Sequence, residues 1–158
     1  MKIGIMSDSH DNLPKLAAAV DCFNRESVDL VIHAGDFVAP FTKKPLEELK
    51  SPLVAVFGNN DGEVMGLAKC FEGSIFPAPH SITFHGKTIL ICHEPIALKA
   101  LQKSEFYDAV IYGHTHEIDV REGRTWIINP GETGGWLTGT STIAIWDFDL
   151  NKVEIIHI

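Results

Sequence analysis

Short apolar runs alternate with a segment of helical periodicity in the first third of the chain. Residues 3–6, 30–34 and 53–57 form nearly continuous apolar runs of strand length. After the first run, apolar residues recur at intervals of three and four, which marks one face of a helix. They are Leu13, Leu16, Ala17, Val20 and Phe23. A second helix is expected around residues 45–50, and this β-α-β-α-β order favours a parallel sheet covered by helices.

The pattern changes in the second half, where pairs of apolar segments flank short polar turns. Segments 81–84 and 88–92 flank His85-Gly86, and this arrangement is typical of a hairpin. Two further hairpins are predicted, one over residues 117–128 and one over 142–157. A short helix near Pro95 and a strand over 109–112 separate the first two hairpins. The second half is therefore expected to be mainly antiparallel, and residues 1–158 are expected to form one α/β domain of mixed sheets.

Composition narrows the class of protein. The chain has 158 residues, 45% of them hydrophobic, and a net charge of −8, which disfavours duplex nucleic acid as a partner. Its three cysteines are widely and irregularly spaced, and this fits neither a disulfide framework nor a cysteine zinc site. No signal-peptide core and no run of about 18 apolar residues is present. We therefore expect a cytoplasmic protein without a membrane partner.

Side chains that commonly bind metals follow five of the predicted strands. They are Asp8 and His10, Asp36, the group Asn59, Asn60 and Asp61, His93, and finally His114 and His116. In open α/β sheets the loops at the carboxyl ends of strands converge on one crevice, so these side chains are expected to meet there. Imidazole, carboxylate and amide ligands together favour manganese, iron, zinc or nickel, whereas carboxylates alone would favour magnesium.

The number of candidate ligands is larger than one such ion can coordinate. Two ions about 3.5–4 Å apart, sharing a carboxylate and a water, account for the number and are an established arrangement for phosphoryl hydrolysis. Asp36 is the best candidate for the shared carboxylate, because its loop is central in sequence order and Gly35 precedes it. Mn²⁺ or Ni²⁺ is the expected pair of ions, with Zn²⁺, Fe and Mg²⁺ as alternatives.

In their order along the chain, these motifs resemble those of the calcineurin-like metallophosphoesterases, above all the small single-domain prokaryotic phosphodiesterases. The motifs are Asp8-Ser9-His10, Gly35-Asp36, Gly58-Asn59-Asn60-Asp61, His93 and Gly113-His114-Thr115-His116, within a match from residue 1 to about 131. The resemblance implies two facing mixed β-sheets flanked by helices, in a four-layer sandwich. It also implies two ligand sets. One is Asp8, His10, Asp36 and His116, and the other is Asp36, Asn59, His93 and His114.

Asn60 departs from the larger members of that family, which carry histidine at this position to help protonate the leaving group. An amide has no proton to give near neutral pH, so good leaving groups are favoured. Small members that lack the histidine act as diesterases. Asn59 is expected to bind metal and orient phosphate, while Asp61 is expected to orient a ligand or cap a turn.

The resulting hypothesis is a hydrolase of small-molecule phosphate esters, most readily diesters, that uses a metal-bridging hydroxide. The alternative is a non-catalytic scaffold of the same fold that acts in protein–protein interaction. Such scaffolds typically lose ligand histidines, whereas this chain keeps every ligand position. A homodimer is a further expectation. His33 is expected to be a buried core histidine, and Glu132 is expected at the cleft rim, opposing a second negative charge on substrate.

Overall fold

The computed structural model describes residues 1–158, which form eleven strands, four α-helices and a 3₁₀ turn over Pro40–Thr42. The helices are α1 (Leu13–Glu26), α2 (Lys43–Leu46), α3 (Val64–Cys70) and α4 (Leu98–Ser104). Strands β1 to β6 are Lys2–Met6, Leu30–His33, Leu53–Val56, Ile75–Phe76, His80–Phe84 and Lys87–Ile91. Strands β7 to β11 are Ala109–Ile111, Ile118–Arg121, Trp126–Pro130, Thr142–Asp147 and Lys152–His157.

The first sheet has six strands in the order β11-β10-β1-β2-β3-β4. Strands β1 to β4 are parallel, as the first-half pattern predicts, and β10 and β11 add an antiparallel edge. Helix α1 begins after Asn12, whose side chain accepts a hydrogen bond from the Lys15 amide. Its buried face includes Leu16, Val20 and Phe23. The prediction for Ala17 was wrong, because this residue is exposed.

The second sheet has five strands in the order β5-β6-β7-β9-β8. The predicted hairpins β5–β6 and β8–β9 are antiparallel, but β6, β7 and β9 run parallel to one another. The expectation of a mainly antiparallel second half was therefore wrong for the centre of this sheet. Helix α4 connects β6 to β7, and a parallel pair of strands needs such a crossover.

Three apolar clusters show that the two sheets face each other with helices outside. One cluster joins β1, β2 and β3 to β6, β7 and β9 across the space between the sheets, through residues such as Ile5, Ile32 and Ile111. A second lies between the first sheet and α1, around Phe23. The third lies between the second sheet and α4, around Val110. The predicted α/β sandwich of two mixed sheets flanked by helices is confirmed.

Two elements have no counterpart in the sequence pattern, and one is displaced. Helix α3 and the two-residue strand β4 were not predicted, and helix α2 begins and ends earlier than expected. Residues 64–76, which contain α3 and β4, mix small, charged and apolar side chains. Neither the helical nor the strand periodicity of apolar residues is therefore visible there. No helix is both long and apolar enough to cross a membrane.

Candidate metal centre

The predicted ligands lie on loops that leave the carboxyl ends of β1, β2, β3, β6 and β7. Strands of both sheets contribute, so the site lies where the ends of the two sheets meet. The backbone amide of His114 donates to both carboxylate oxygens of Asp8, at 3.2 and 3.0 Å, and connects the loop after β7 to the loop after β1. This contact brings side chains 106 residues apart in sequence into one cluster.

The first group of donor atoms comes from Asp8, His10 and His116. The His10 and His116 Nε2 atoms are 3.3 Å apart, and the two imidazole rings stack with centroids 5.1 Å apart. Asp8 Oδ1 lies 3.5 Å from His116 Nε2 and 3.9 Å from His10 Nε2. All three donor atoms lie within 4.8 Å of one another, a spacing that allows them to share one ion.

The second group centres on Asn59. Its Oδ1 atom lies 2.8 Å from His93 Nε2 and 2.8 Å from His114 Nδ1. Asp36 Oδ2 lies 3.4 Å from the same nitrogen of His93. The structure therefore brings the four residues of the second predicted ligand set to one place.

Asp36 lies between the two groups. Its Oδ2 atom is 3.6 Å from His10 Nε2 on one side and 3.4 Å from His93 Nε2 on the other. The carboxylate is almost wholly buried, with 1% exposure. No other predicted ligand offers one oxygen to both histidine groups at these distances.

The hydrogen bonding of His93 indicates that the cluster is suited to hold a cation. Its Nδ1 lies 2.8 Å from the carbonyl oxygen of Ala34, which can only accept, so Nδ1 carries a proton. In the neutral ring Nε2 then presents a lone pair to the oxygens of Asn59 and Asp36. Lone pairs that face each other at these distances need a cation between them, either a proton or a metal ion. The donor set thus fits divalent metal ions.

The pKa shifts agree with a site built for positive charge. Burial opposes the charged form of His93, but the Asp36 carboxylate and the Ala34 carbonyl outweigh it and raise the pKa of this histidine. Burial also raises the pKa of Asp8, although Ser7 and the nearby histidines oppose that shift. Burial alone would raise the pKa of Asp36, but a hydrogen bond from the protonated form of His93 and those from Asn60 outweigh it and hold the pKa well below the usual range. A metal ion replaces the proton at such sites.

The backbone at the site is held in an unusual conformation. Five predicted ligands have a positive φ, a region that non-glycine residues rarely adopt: Asp8 (53°), His10 (42°), Asp36 (64°), His114 (67°) and His116 (61°). Such conformations persist where surrounding contacts fix them, and they cluster at functional sites. Two glycines allow the loops to approach, since a Cβ atom at Gly58 would collide with Asp36 and one at Gly113 with Ser7 and Asp8.

Asp61 and Asn60 support Asp36 from the loop after β3. Asp61 Oδ1 accepts from the amides of Phe37 and Val38, at 2.6 and 2.7 Å, and its Oδ2 accepts from Gly58 at 2.7 Å. Asn60 donates its backbone and side-chain amides to the two Asp36 oxygens, both at 2.8 Å. Asp61 thus connects two ligand loops, and Asn60 orients the carboxylate between the two groups.

Glu132, which is expected to oppose a substrate charge, is buried beside the predicted ligand His116. The residue is 1% exposed, and its Oε1 lies 3.2 Å from His116 Nδ1. Its two oxygens accept from the amides of Trp136, Leu137 and Thr138. Sequence reasoning missed this positioning role. The only signal was an acidic residue inside a glycine-rich segment, which can equally form a surface turn.

His33 is buried and hydrogen-bonded, as expected. The amide of Gly35 donates to its Nδ1 at 3.2 Å, so Nε2 carries the ring proton and points to the Ser9 hydroxyl at 3.0 Å. The ring stacks on Phe37, with centroids 3.6 Å apart. Complete burial lowers the pKa of His33 to about 3, so the side chain is neutral at physiological pH.

Comparison with known proteins agrees with this geometry. A solved archaeal phosphodiesterase is 41% identical, covers 100% of both chains and superposes with a TM-score of 0.91. A curated phosphodiesterase of Methanocaldococcus jannaschii is 44% identical in an alignment of 154 positions that covers 93% of each chain. Vps29 of Entamoeba histolytica, solved with Zn²⁺, has a TM-score of 0.71 at 18% identity and covers 100% of this chain and 98% of that one. At that identity the likeness concerns the fold alone.

The family itself is settled by the extent of the match. The model of the calcineurin-like phosphoesterase superfamily domain matches residues 1–151, a range that contains every predicted ligand. The resemblance inferred from the motifs is confirmed. The chain belongs to the calcineurin-like phosphoesterase superfamily.

Proposed function

We propose that this protein hydrolyses phosphate diesters at a centre of two divalent metal ions. The observation that carries the proposal is the position of Asp36 Oδ2, 3.6 Å from His10 Nε2 and 3.4 Å from His93 Nε2. One carboxylate oxygen placed between two groups of donor atoms is suited to bridge two ions. The relationship to phosphodiesterases at 41% and 44% identity supports the same reaction.

Each ion has its own set of donors in the proposed centre. Asp8, His10 and His116 hold one ion, because their donor atoms all lie within 4.8 Å of one another. Asn59, His93 and His114 hold the other, grouped around the Asn59 oxygen. Asp36 belongs to both. Mn²⁺ or Ni²⁺ is the proposed occupant, because imidazole, carboxylate and amide donors without thiolate suit such ions.

Bound at these residues, divalent ions would supply positive charge to the phosphate oxygens and would make hydroxide available from water near neutral pH. Residues that do not bind metal hold the ligands and their loops in place. Asn60 fixes the Asp36 carboxylate, Asp61 connects the loops that carry Asp36 and Asn59, and Glu132 orients His116.

Charge at the proposed centre bears on which phosphate ester it attracts. The ion pairs formed by arginine and lysine lie away from the centre. Examples are Arg121 with Asp119 and Lys87 with Asp108. The donor set itself contains two buried carboxylates, Asp8 and Asp36. A diester brings one negative charge to this environment and a terminal monoester brings nearly two. Two divalent ions would outweigh these two carboxylates, so charge alone does not select between the esters. The preference for diesters rests on the relationship to phosphodiesterases at 41% and 44% identity.

The alternative function, a non-catalytic scaffold, draws on the structural likeness to Vps29, which concerns only the fold. The complete donor set, with Asp36 and His93 buried and convergent, favours catalysis. We also propose a cytoplasmic location and a homodimer, both of which rest on the sequence.

Hydrolysis of matched nitrophenyl esters tests the proposal. The manganese-loaded protein should hydrolyse bis(p-nitrophenyl) phosphate with a kcat/KM well above that for p-nitrophenyl phosphate. Asp21→Asn, which removes an exposed carboxylate from α1, serves as the control and should leave both values unchanged. Failure to hydrolyse either ester, or a clear preference for the monoester, contradicts the proposed function.

A further inference from the structure

A cleft of about 570 Å³ opens beside the candidate metal centre, on the side of Asn59 and His93. These two residues line the cleft and also belong to the second group of metal donors. A phosphate held by that group would therefore lie at the cleft's inner end. The volume falls within the range of about 300–1,000 Å³ that is usual for small-molecule sites.

The cleft wall is largely apolar. Its apolar residues come from three separate segments of the chain: Phe57, Val64, Ala78, Cys92 and Ile96. Val64 and Ile96 remain 45% and 52% exposed, which is high for large apolar side chains. Apolar groups left uncovered together at the mouth of a cleft mark a surface that a ligand covers.

Charge in the cleft limits what that ligand can be. Glu94 is the only charged residue of the lining apart from the metal donor His93, and neither lysine nor arginine is present. A second phosphate, a carboxylate or a polyphosphate chain would meet a carboxylate with no cation to offset it. An uncharged group would instead gain apolar contact without that penalty.

From these observations we infer that the cleft is a subsite for one ester substituent of the diester, and that this substituent is uncharged and apolar or aromatic. The inference rests on the proposed function, since it takes the phosphate to be held at the donor cluster. It adds the chemical class of the substrate. The phosphorus carries one group that enters the cleft between α3 and the loop after β6, with its apolar face toward Val64 and Ile96.

Inert analogues allow the subsite to be tested without turnover. Phosphinates carry one negative charge and two P–C bonds, so they mimic a diester that cannot be cleaved. Binding of methyl(phenyl)phosphinate and dimethylphosphinate to the manganese-loaded protein would be measured by titration calorimetry. The phenyl analogue should bind at least about tenfold more tightly, because only its ring fills the apolar cleft.

Paired variants assign this preference to the cleft. In Val64→Asn/Ile96→Asn the ratio of the two dissociation constants should fall to near one. Leu150→Asn changes an apolar residue that is 73% exposed and lies outside the cleft, and it should keep the full ratio. Urea unfolding of each variant verifies that the exposed substitutions leave the fold intact.

A charged probe tests the role of Glu94. Adding a carboxylate to the ring, as in methyl(4-carboxyphenyl)phosphinate, should remove most of the gain in affinity. Glu94→Gln should recover part of it, so that the ratio between the charged and uncharged ring analogues moves toward one. An unchanged ratio contradicts the charge argument.

Three results overturn the subsite: equal affinity for the phenyl and methyl analogues, no measurable binding of either, or a preference that survives in the double variant. Turnover of bis(p-nitrophenyl) phosphate on the same samples separates this inference from the proposed function. Turnover without a phenyl preference contradicts the subsite alone. A phenyl preference without turnover contradicts the hydrolase, and with it the assignment to a diester substituent, while the cleft itself still binds an apolar group.

Discussion

The carboxylate of Glu132 lies 3.2 Å from Nδ1 of His116, on the side of the ring opposite the nitrogen that faces Asp8 and His10. The contact does not have the geometry of a hydrogen bond, and Nδ1 is otherwise unpartnered. The negative charge beside it still favours the tautomer with the proton on Nδ1, which leaves Nε2 free to bind metal. The same carboxylate accepts hydrogen bonds from the amides of residues 136–138. Glu132 therefore couples the orientation of one ligand to the conformation of a neighbouring loop.

Replacing Glu132 should weaken metal binding although the residue does not bind metal. In Glu132→Gln the negative charge beside His116 is lost, and the affinity for Mn²⁺ should fall by about 10–100-fold. Titration calorimetry of the chelator-treated protein measures this affinity. Glu117→Gln removes an exposed carboxylate next to His116 in sequence and should have little effect. Equal affinities for Glu132→Gln and the unaltered protein would show that Glu132 only holds the loop.

Asp36 should be needed for both ions. Asp36→Asn removes the charge that lies between the two donor groups, so the metal content per chain and the turnover should both drop, turnover by more than about 100-fold. Elemental analysis of the purified variant gives the metal content. Asp21→Asn is the matched control on the exposed face of α1. A fully loaded and active Asp36→Asn protein would exclude a bridging role.

His33 should make the metal-free protein sensitive to acid. The unfolded chain binds a proton at this side chain below a pH of about 6.5, whereas the folded chain does so only near 3. Because the unfolded state binds the extra proton, stability is lost as the pH falls from 6.5 toward 3, at up to about 1.4 kcal/mol per pH unit. At pH 5 the loss should reach about 2 kcal/mol.

Urea unfolding in the presence of a chelator measures this effect. His33→Gln removes the titrating group, so its free energy of unfolding should depend less steeply on pH between 7 and 5, even though the variant is less stable at pH 7. His157→Gln, which replaces an exposed histidine on β11, should keep the original slope. The burial argument fails if the His33→Gln and unaltered proteins show parallel pH dependence.

Asn60 should make the rate depend on the leaving group. Its amide donates to Asp36 and has no proton to give to a departing oxygen near neutral pH. The rate should therefore fall steeply as the leaving-group pKa rises. In Asn60→His an imidazole can supply the proton, and esters with poor leaving groups should gain up to about 10²–10⁴-fold.

A series of diesters whose departing phenols and alcohols differ in pKa, run at equal metal occupancy, tests this dependence. Asn60→Ala is the control, because it removes the hydrogen bond to Asp36 without adding an acid. Should the unaltered protein already show a flat series, another group protonates the leaving oxygen, and the account of Asn60 is wrong.

Much of the site could be predicted because its chemistry is local in sequence. Asp8, Asp36 and His93 each follow an apolar strand. Asp8 and Asp36 share one edge because β1 and β2 are parallel, whereas His93 follows β6 of the second sheet and joins them where the two sheets meet. The first βαβ unit could be predicted for the same reason, since the N-cap residue Asn12 and the apolar face of α1 are strong short-range signals. These features depend on period and on residue type, both of which a single sequence displays.

The features that could not be predicted depend on long-range contacts. Strand β7 pairs in parallel with β9, and β8 lies on the far side of β9. The apolar pattern of a strand does not indicate which strand it pairs with or in which direction. The contact of Glu132 with His116 joins two loops whose separation in space has no local signal. The apolar cleft combines Val64, Ala78 and Ile96 from separate segments, so it exists only in the folded chain.

The most direct test of the account is to measure metal content and diester hydrolysis together on one sample. The chelator-treated protein, verified as metal-free by elemental analysis, would be titrated with Mn²⁺ while the hydrolysis of bis(p-nitrophenyl) phosphate is followed. The account predicts no turnover without metal and a rise in activity that reaches its maximum at two ions per chain. Full activity in the metal-free protein, or a maximum at one ion per chain with no further binding, would contradict the two-ion centre around Asp36.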